Sequence, residues 1–280
     1  MTTLTPTIVT HRRPHLDEVC ALWIIQKYWH EFSHANIEFV TTSPTGGERW
    51  NNVAPDSNPF VIYVGVGQGQ FDEHKGDVDD SAATLVWRET QARGSISKGE
   101  KQAVSRIVEY VKQEDMAQFI TNDLHQFGIP TIISGLYGVN KKDSHAVYAV
   151  GKQIMEALLF EMLKRISAES DWEGRVDFDT PWGKAAAVVT NIPGIERIAF
   201  SKGYVLLVSH NKEGTYHGMR GDPHSNVDLT DVAMRVKQRE PEANWFLHQS
   251  KRLLLCGGEV AATENYSHLT LAELMDFASK

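Results

Sequence analysis

Residues 10–23 read THRRPHLDEVCALW. The apolar pair Ile8 and Val9 precedes them, and Leu16, Val19, Cys20, Trp23, Ile24 and Tyr28 then recur at helical spacing. The stretch is therefore the turn between a short buried strand, residues 7–10, and an amphipathic helix. Two histidines and two carboxylates fall within the eight residues 11–18, around Pro14. A strand that hands over to a helix through so many titratable groups is either a polar surface turn or a grip on something charged.

Working outward, residues 37–41 are β-branched and aromatic, which predicts a second strand. The breaker-rich residues 43–59, SPTGGERWNNVAPDSNP, predict a loop. FVIYVGVG from Phe60 is a nearly continuous apolar run, as in a parallel strand covered on both faces. Helical periodicity returns at residues 81–90, and Ser97 with Glu100 three positions on predicts a capped helix reaching about residue 114. Residues 125–140 carry Gly and Pro and stay ambiguous between helix and loop. A long helix is predicted from His145 through Val147, Val150, Ile154, Leu158 and Met162. Strands alternating with helices predict an α/β first domain, a parallel sheet with helices on both faces.

The pattern then changes. KAAAVVTN, RIAFSKGYVLLVSHN and GTYHGMR are strand-like, the middle run broken at Lys202-Gly203 by a predicted hairpin turn. Neighbouring strands predict an antiparallel sheet, covered by a helix at residues 229–237 and by a last helix capped by Thr270 with Glu273. The expected division is a domain at residues 1–168 and a smaller α+β domain at 180–280, with the boundary in the polar, non-periodic residues 167–182.

Composition narrows the function classes. Asp and Glu number 36 against 28 Lys and Arg, so the net field does not attract nucleic acid, and a polyanionic ligand needs a local basic patch or a metal. Cys20 and Cys256 are far apart and share no C-x-x-C spacing, which argues against a disulfide framework and a zinc-cysteine site. With no signal-peptide order and no membrane-length apolar run, the expectation is a cytoplasmic protein with no membrane partner.

The carboxyl end of a strand in an open parallel sheet is where ligands bind. His11 closes the first strand there, and His15 and Asp17 open the helix. Imidazole with carboxylate is a ligand set for divalent transition ions, manganese or zinc before calcium. The plainer alternative is that Asp17 only offsets the helix dipole. A second group, Asp72, Glu73 and His74, follows a Gly-rich turn after the third strand, whereas Asp77, Asp79 and Asp80 read as a hydrated acidic loop. Asp115 sits at a helix end where a carboxylate is unfavourable unless solvent or a cation answers it. Trp23, Tyr28, Trp29 and Trp87 read as core rather than as stacking platforms. His217, Arg220 and His224 in HGMRGDPHSN are as suited to phosphate contact as to structure.

The order His-x-x-Pro-x-x-Asp after a strand, an Asp-x-His group after a Gly-rich turn, and an Asp at a helix end resembles the DHH phosphoesterase superfamily, which includes manganese-dependent pyrophosphatases and RecJ-like exonucleases. Within it, PHLDEVCAL, VGVGQGQFDEH, SAATLVW and EANWFLHQSKRLLLCGGE are most similar to segments of the melanocyte-proliferating-gene family of DHH-like metal-dependent exonucleases. The resemblance implies metal ligands at His11, His15, Asp17, Glu73 and Asp115. It implies catalytic roles for Asp72, His74 and Asp115, with Asp72 supporting the cluster and His74 facing phosphate. Substrate contacts fall at His74, Arg220, His224, His248, Lys251, Gly257 and Gly258, in a cleft between the domains.

Two departures stand out: Tyr63 occupies the position of a metal-bridging aspartate, and Glu73 that of the central histidine of Asp-His-His. Glu73 still offers a carboxylate, but a neutral phenol supplies no bridging charge. One ion, two, or none thus remain open, with manganese the first candidate. The implied activity is metal-dependent hydrolysis of a phosphodiester in a nucleotide or short oligonucleotide. The alternative is a catalytically degenerate relative that binds nucleotide or RNA, and reversion of Tyr63 to Asp would separate the two. A third reading is an unrelated α/β protein whose histidines are structural. The expected partner is a phosphate-containing small molecule or short single-stranded nucleic acid, and homo-oligomerisation is left open.

Overall fold

β1 (Thr7–His11) is the middle strand of a three-stranded parallel sheet, flanked by β2 (Asn36–Val40) and β3 (Val61–Tyr63). These positions come from a computed structural model, which describes residues 5–43, 47–75, 79–94, 96–118, 123–258 and 264–280. Asp77 lies outside the described residues. Contacts divide the chain into two units, Met1–Leu163 and Lys164–Lys280.

In the first unit β3 is shorter than its apolar run. It ends at Tyr63 because Gly65 turns the chain at φ +65°, and residues 64 and 71 then meet in an isolated bridge. One sheet face carries Val9, Val61, Tyr63 and Val66, packed against Val40, Trp50 and Val53. Pro14 and His15 start α1 (Leu16–Tyr28), whose ten residues from Leu16 through Ile25 are all buried. The expected amphipathic helix is thus enclosed on every side, which is why its sequence is apolar beyond one stripe.

α2 (Ala82–Arg93) and α3 (Lys98–Asp115) pack on α1 and on each other. The ambiguous Gly/Pro segment forms α4 (Ile129–Val139), with Gly128 at its N-cap and Pro130 in its first turn, where a missing N–H costs nothing. α5 (Ser144–Trp172) approaches α1 at Gly151, where a Cβ would lie 2.7 Å from Val19 Cγ1. Trp23, Trp29 and Trp87 are buried in this unit.

The second unit is built on a six-stranded sheet in the order β4-β5-β6-β7-β9-β8. Its strands are β4 (Val176–Thr180), β5 (Gly183–Val189), β6 (Leu206–His210), β7 (Tyr216–Gly221), β8 (Trp245–Leu247) and β9 (Leu253–Gly257). The sheet is mixed and mostly antiparallel: β5 and β6 alone pair in parallel. The strand and hairpin expected at residues 197–205 are instead α6 (Glu196–Ser201), ended by Gly203 at φ +83°. A parallel pair needs such a crossover.

α7 (Thr230–Arg239) packs against β8, and α8 (Leu271–Ser279) carries the capping box of Thr270 and Glu273. The expected boundary segment, residues 167–182, is not a linker. It holds the last turn and a half of α5 and all of β4, and the division between units falls earlier, within α5.

Candidate metal centre

Glu18 is the hub of the site. Its Oε2 accepts the His15 backbone N–H at 2.7 Å, half of a capping box that fixes the first turn of α1, and its Oε1 lies 3.1 Å from His11 Nε2. Gly65 makes room for this carboxylate, since a Cβ there would lie 2.9 Å from Glu18 Oε1. His11 Nδ1 donates to the Arg12 carbonyl at 2.8 Å. That bond fixes the ring so that Nε2 faces the carboxylates, the orientation a metal-ligating histidine adopts. Burial opposes charge on His11, but the Glu18 hydrogen bond and charge overcome it and raise its pKa to about 9.

Asp17, one residue away, is fully buried. Its Oδ2 and Oδ1 accept the N–H groups of Ala82 and Ala83 at 2.7 and 3.0 Å, so it caps the start of α2 while lying beside Glu18. Burial first, and then the neighbouring Glu18 charge, push its pKa upward against a hydrogen bond from the Ser81 side chain. A carboxylate has about four lone-pair positions, so this capping leaves Asp17 able to accept more.

Glu73 comes from the turn after Gly65. Its Oε2 is buried with no hydrogen-bond partner, and burial foremost raises its pKa to about 7. Asp72 accepts the amides of Gln68 and His74 and holds His74 Nδ1 at 2.9 Å. That hydrogen bond raises the His74 pKa, while the ring itself stays exposed.

Ligand atoms of His11, His15 and Glu18 lie within 4.8 Å of one another, and so do those of Asp17, Glu18 and Glu73, and of Asp72, Glu73 and His74. Glu18 and Glu73 knit these groups together. His11 holds the Glu18 carboxyl below its usual range against burial, but Asp17 and Glu73 are both raised, and an orphaned buried carboxylate oxygen beside them is the electrostatics of a site still short of positive charge. The residues present therefore fit a divalent cation.

A cavity of about 1150 Å³ opens over the cluster. His11, His15, Asp17, Glu73, His74 and Asp115 all line it; Asp72 stands behind His74. Asp115, the last residue of α3, is in the cavity wall but outside the three ligand groups. Its pKa is raised, by desolvation first and then by Glu18.

Several wall residues carry no assignment in the sequence reading: Glu18, Arg12, Arg13, Glu114, Tyr137, and Asp80, which reads there as a hydrated loop residue. The signal for Glu18 is its spacing from His15, N-cap to N3, which aims its carboxylate back at the turn. Tyr63 is elsewhere. It is 1 % exposed, accepts the Trp50 amide and donates to the Val53 carbonyl. Reversion to Asp would bury a charge among Val9, Val61 and Val66, so that substitution does not discriminate between the readings.

The candidate substrate residues of the second unit do not gather. Arg220 pairs with Glu196 at 2.8 Å, while His217 is 4 % exposed on the opposite face of β7, ringed by His210 and Trp245. His224 is exposed, its amide on Asp222. His248 and Lys251 sit in the β8–β9 turn, Lys251 paired with Asp228. Gly257 ends β9 and Gly258 follows it, at the other end of the strand from Lys251 and about 20 Å along it at the usual rise. Gly257 serves a close approach, because a Cβ there would meet the Thr215 carbonyl at 2.0 Å.

No protein-family model matches the chain, and no curated protein matches it in sequence. Among solved structures, the chain is similar to a DHH domain described as belonging to a member of a family of ribosomal proteins, with 10 % identity and a TM-score of 0.31 over 90 % of this chain and 82 % of that one. It is also similar to RecJ of Thermus thermophilus, solved with Mg2+, at 12 % identity and a TM-score of 0.31, over 98 % of this chain and 50 % of that one. Among the described residues no helix is long and apolar enough to cross a membrane.

Proposed function

We propose that the chain is a DHH-like, metal-dependent phosphoesterase acting on a phosphodiester of a nucleotide or short oligonucleotide. The observation that carries this reading is the carboxylate and imidazole cluster around Glu18, with Glu73 Oε2 buried and unpartnered, opening into a cavity large enough for a nucleotide. His11, Asp17, Glu18 and Glu73 would hold a divalent ion, manganese first, with His15 and Asp115 at the margin. Such an ion polarises a phosphoryl oxygen and makes bound water acidic.

The chain's own groups have definite tasks. Asp72 orients His74 and favours the cationic form of its ring, so that Nε2–H can be offered to a phosphate oxygen or to the leaving oxygen. Gly65 keeps the floor of the site open for Glu18. Leu16, Val111, Pro130 and Ile133 supply apolar wall that limits water around the charged groups.

The burial of Tyr63 favours the second reading, a binding module without turnover, because β3 then gives the cavity no carboxylate. One experiment separates them. Manganese is titrated into the wild type and Glu18→Gln, and hydrolysis of bis(p-nitrophenyl) phosphate is followed in both. The enzyme reading expects binding weakened at least tenfold by the substitution and turnover that falls with it. Binding without turnover supports the module, and no binding by the wild type removes both.

A further inference from the structure

Arg12 and Arg13 sit in the turn from β1 to α1, and both line the cavity together with Asp17, Glu18, Glu73, Asp80, Glu114 and Asp115. With so many carboxylates at hand, arginines would ordinarily pair. Among the described residues neither guanidinium does. Arg12 is held by its backbone alone, its N–H donating to the Val40 carbonyl at 2.8 Å. Arg13 carries its guanidinium carbon 5.1 Å from the centre of the Tyr137 ring.

The support under Arg13 is built rather than incidental. Its backbone is left-handed at φ +59°, a conformation that glycine adopts freely and arginine at a cost. Its amide donates to Ser144 Oγ at 3.1 Å, and Tyr137 is itself fixed by donating its hydroxyl to the Pro14 carbonyl at 2.8 Å. The cation over the aromatic face limits the rotamers of the long side chain. A strained backbone that carries an arginine where glycine would fit, exposed at the cavity wall and without a carboxylate partner, has a use for its side chain. Guanidinium groups offer planar pairs of N–H donors matched to phosphate oxygens.

We propose that Arg12 and Arg13 form an oxyanion-binding pair that takes a phosphate group of the ligand at the mouth of the carboxylate cluster. As a statement about substrate the proposal rests on the phosphoesterase reading; as a statement about anion binding it stands on these residues. It assigns phosphate recognition to the first unit, whereas Arg220 and Lys251 of the second are already occupied by Glu196 and Asp228.

The test is calorimetric titration of inorganic phosphate into the full chain, in magnesium buffer and in metal-free buffer. The wild type, Arg12→Ala, Arg13→Gly and Arg13→Lys are compared. Expected are a loss of phosphate affinity of at least tenfold in Arg12→Ala and in Arg13→Gly, and a smaller loss in Arg13→Lys, which keeps the charge without the fork. Arg13→Gly should also melt at or above the wild-type temperature, which separates lost binding from lost folding. A wild type that binds no phosphate, or variants that bind it unchanged, would overturn the pair. Phosphate binding that depends on the arginines in a chain that binds no manganese would sink the phosphoesterase reading and keep this one; manganese binding with phosphate affinity indifferent to both arginines does the reverse.

Discussion

Asp17 illustrates how one side chain can serve fold and site together. Its two oxygens take the first amides of α2, which would otherwise be buried without partners. Asp17→Ala strands both donors, and although it removes repulsion from Glu18 the net loss should be about 1–3 kcal/mol. Asp17→Asn, which keeps one acceptor, should lose less. Urea denaturation of the metal-free protein measures both, and an alanine variant as stable as the wild type would mean that the amides find water instead. The charge cluster at residues 11–18 was legible because its spacing is short and local. What the sequence could not reveal was that Tyr63 turns into the core, since orientation there depends on Trp50 and Val53 in a distant loop.

Among the elements, the β1–turn–α1 unit, the capped α3 and the capped α8 were readable because their signals lie within a few residues. α6 was not. Its β-branched and aromatic residues have strand propensity, and only the parallel pairing of β5 with β6 demands a crossover there. Two helical glycines make opposite predictions from the same logic. Gly135 in α4 has open space where a Cβ would go, so Gly135→Ala should stabilise by about 0.5–1 kcal/mol through helix propensity alone. Gly151 in α5 would drive a methyl into the stiff, β-branched Val19 of α1, and Gly151→Ala should cost about 1–3 kcal/mol. Thermal melting should move the two midpoints in opposite directions; a shift of the same sign would show that propensity, not contact, governs both.

Over the whole molecule, one buried group in each unit responds to acid in the opposite sense to the other. Glu73 has its pKa raised to about 7, so the metal-free native state binds the extra proton between roughly pH 4.5 and 7, and its contribution to stability is lost as pH rises through that window. His217 is the reverse. Burial first, then His210, lowers its pKa, so the unfolded chain takes the proton first and stability is lost as pH falls below about 6.5. Calorimetry of the metal-free chain at pH 5 and pH 7 should therefore find the pH dependence altered in opposite senses by Glu73→Gln and His217→Phe. The same sign in both variants would refute the assignment. The division into an α/β unit and a unit with a mixed, mostly antiparallel sheet was legible from the change in strand pattern. Its position was not, because the polar residues 167–172 continue a helix whose contacts are tertiary. Glu18, finally, ties the first turn of α1 to whatever the cavity receives, since one carboxylate closes the capping box and faces the ligand. Occupancy should therefore leave a trace in the backbone: the His15 amide, and the turn it anchors, should exchange deuterium more slowly when a cation neutralises that carboxylate's surroundings, giving a readout of loading that needs neither colour nor turnover.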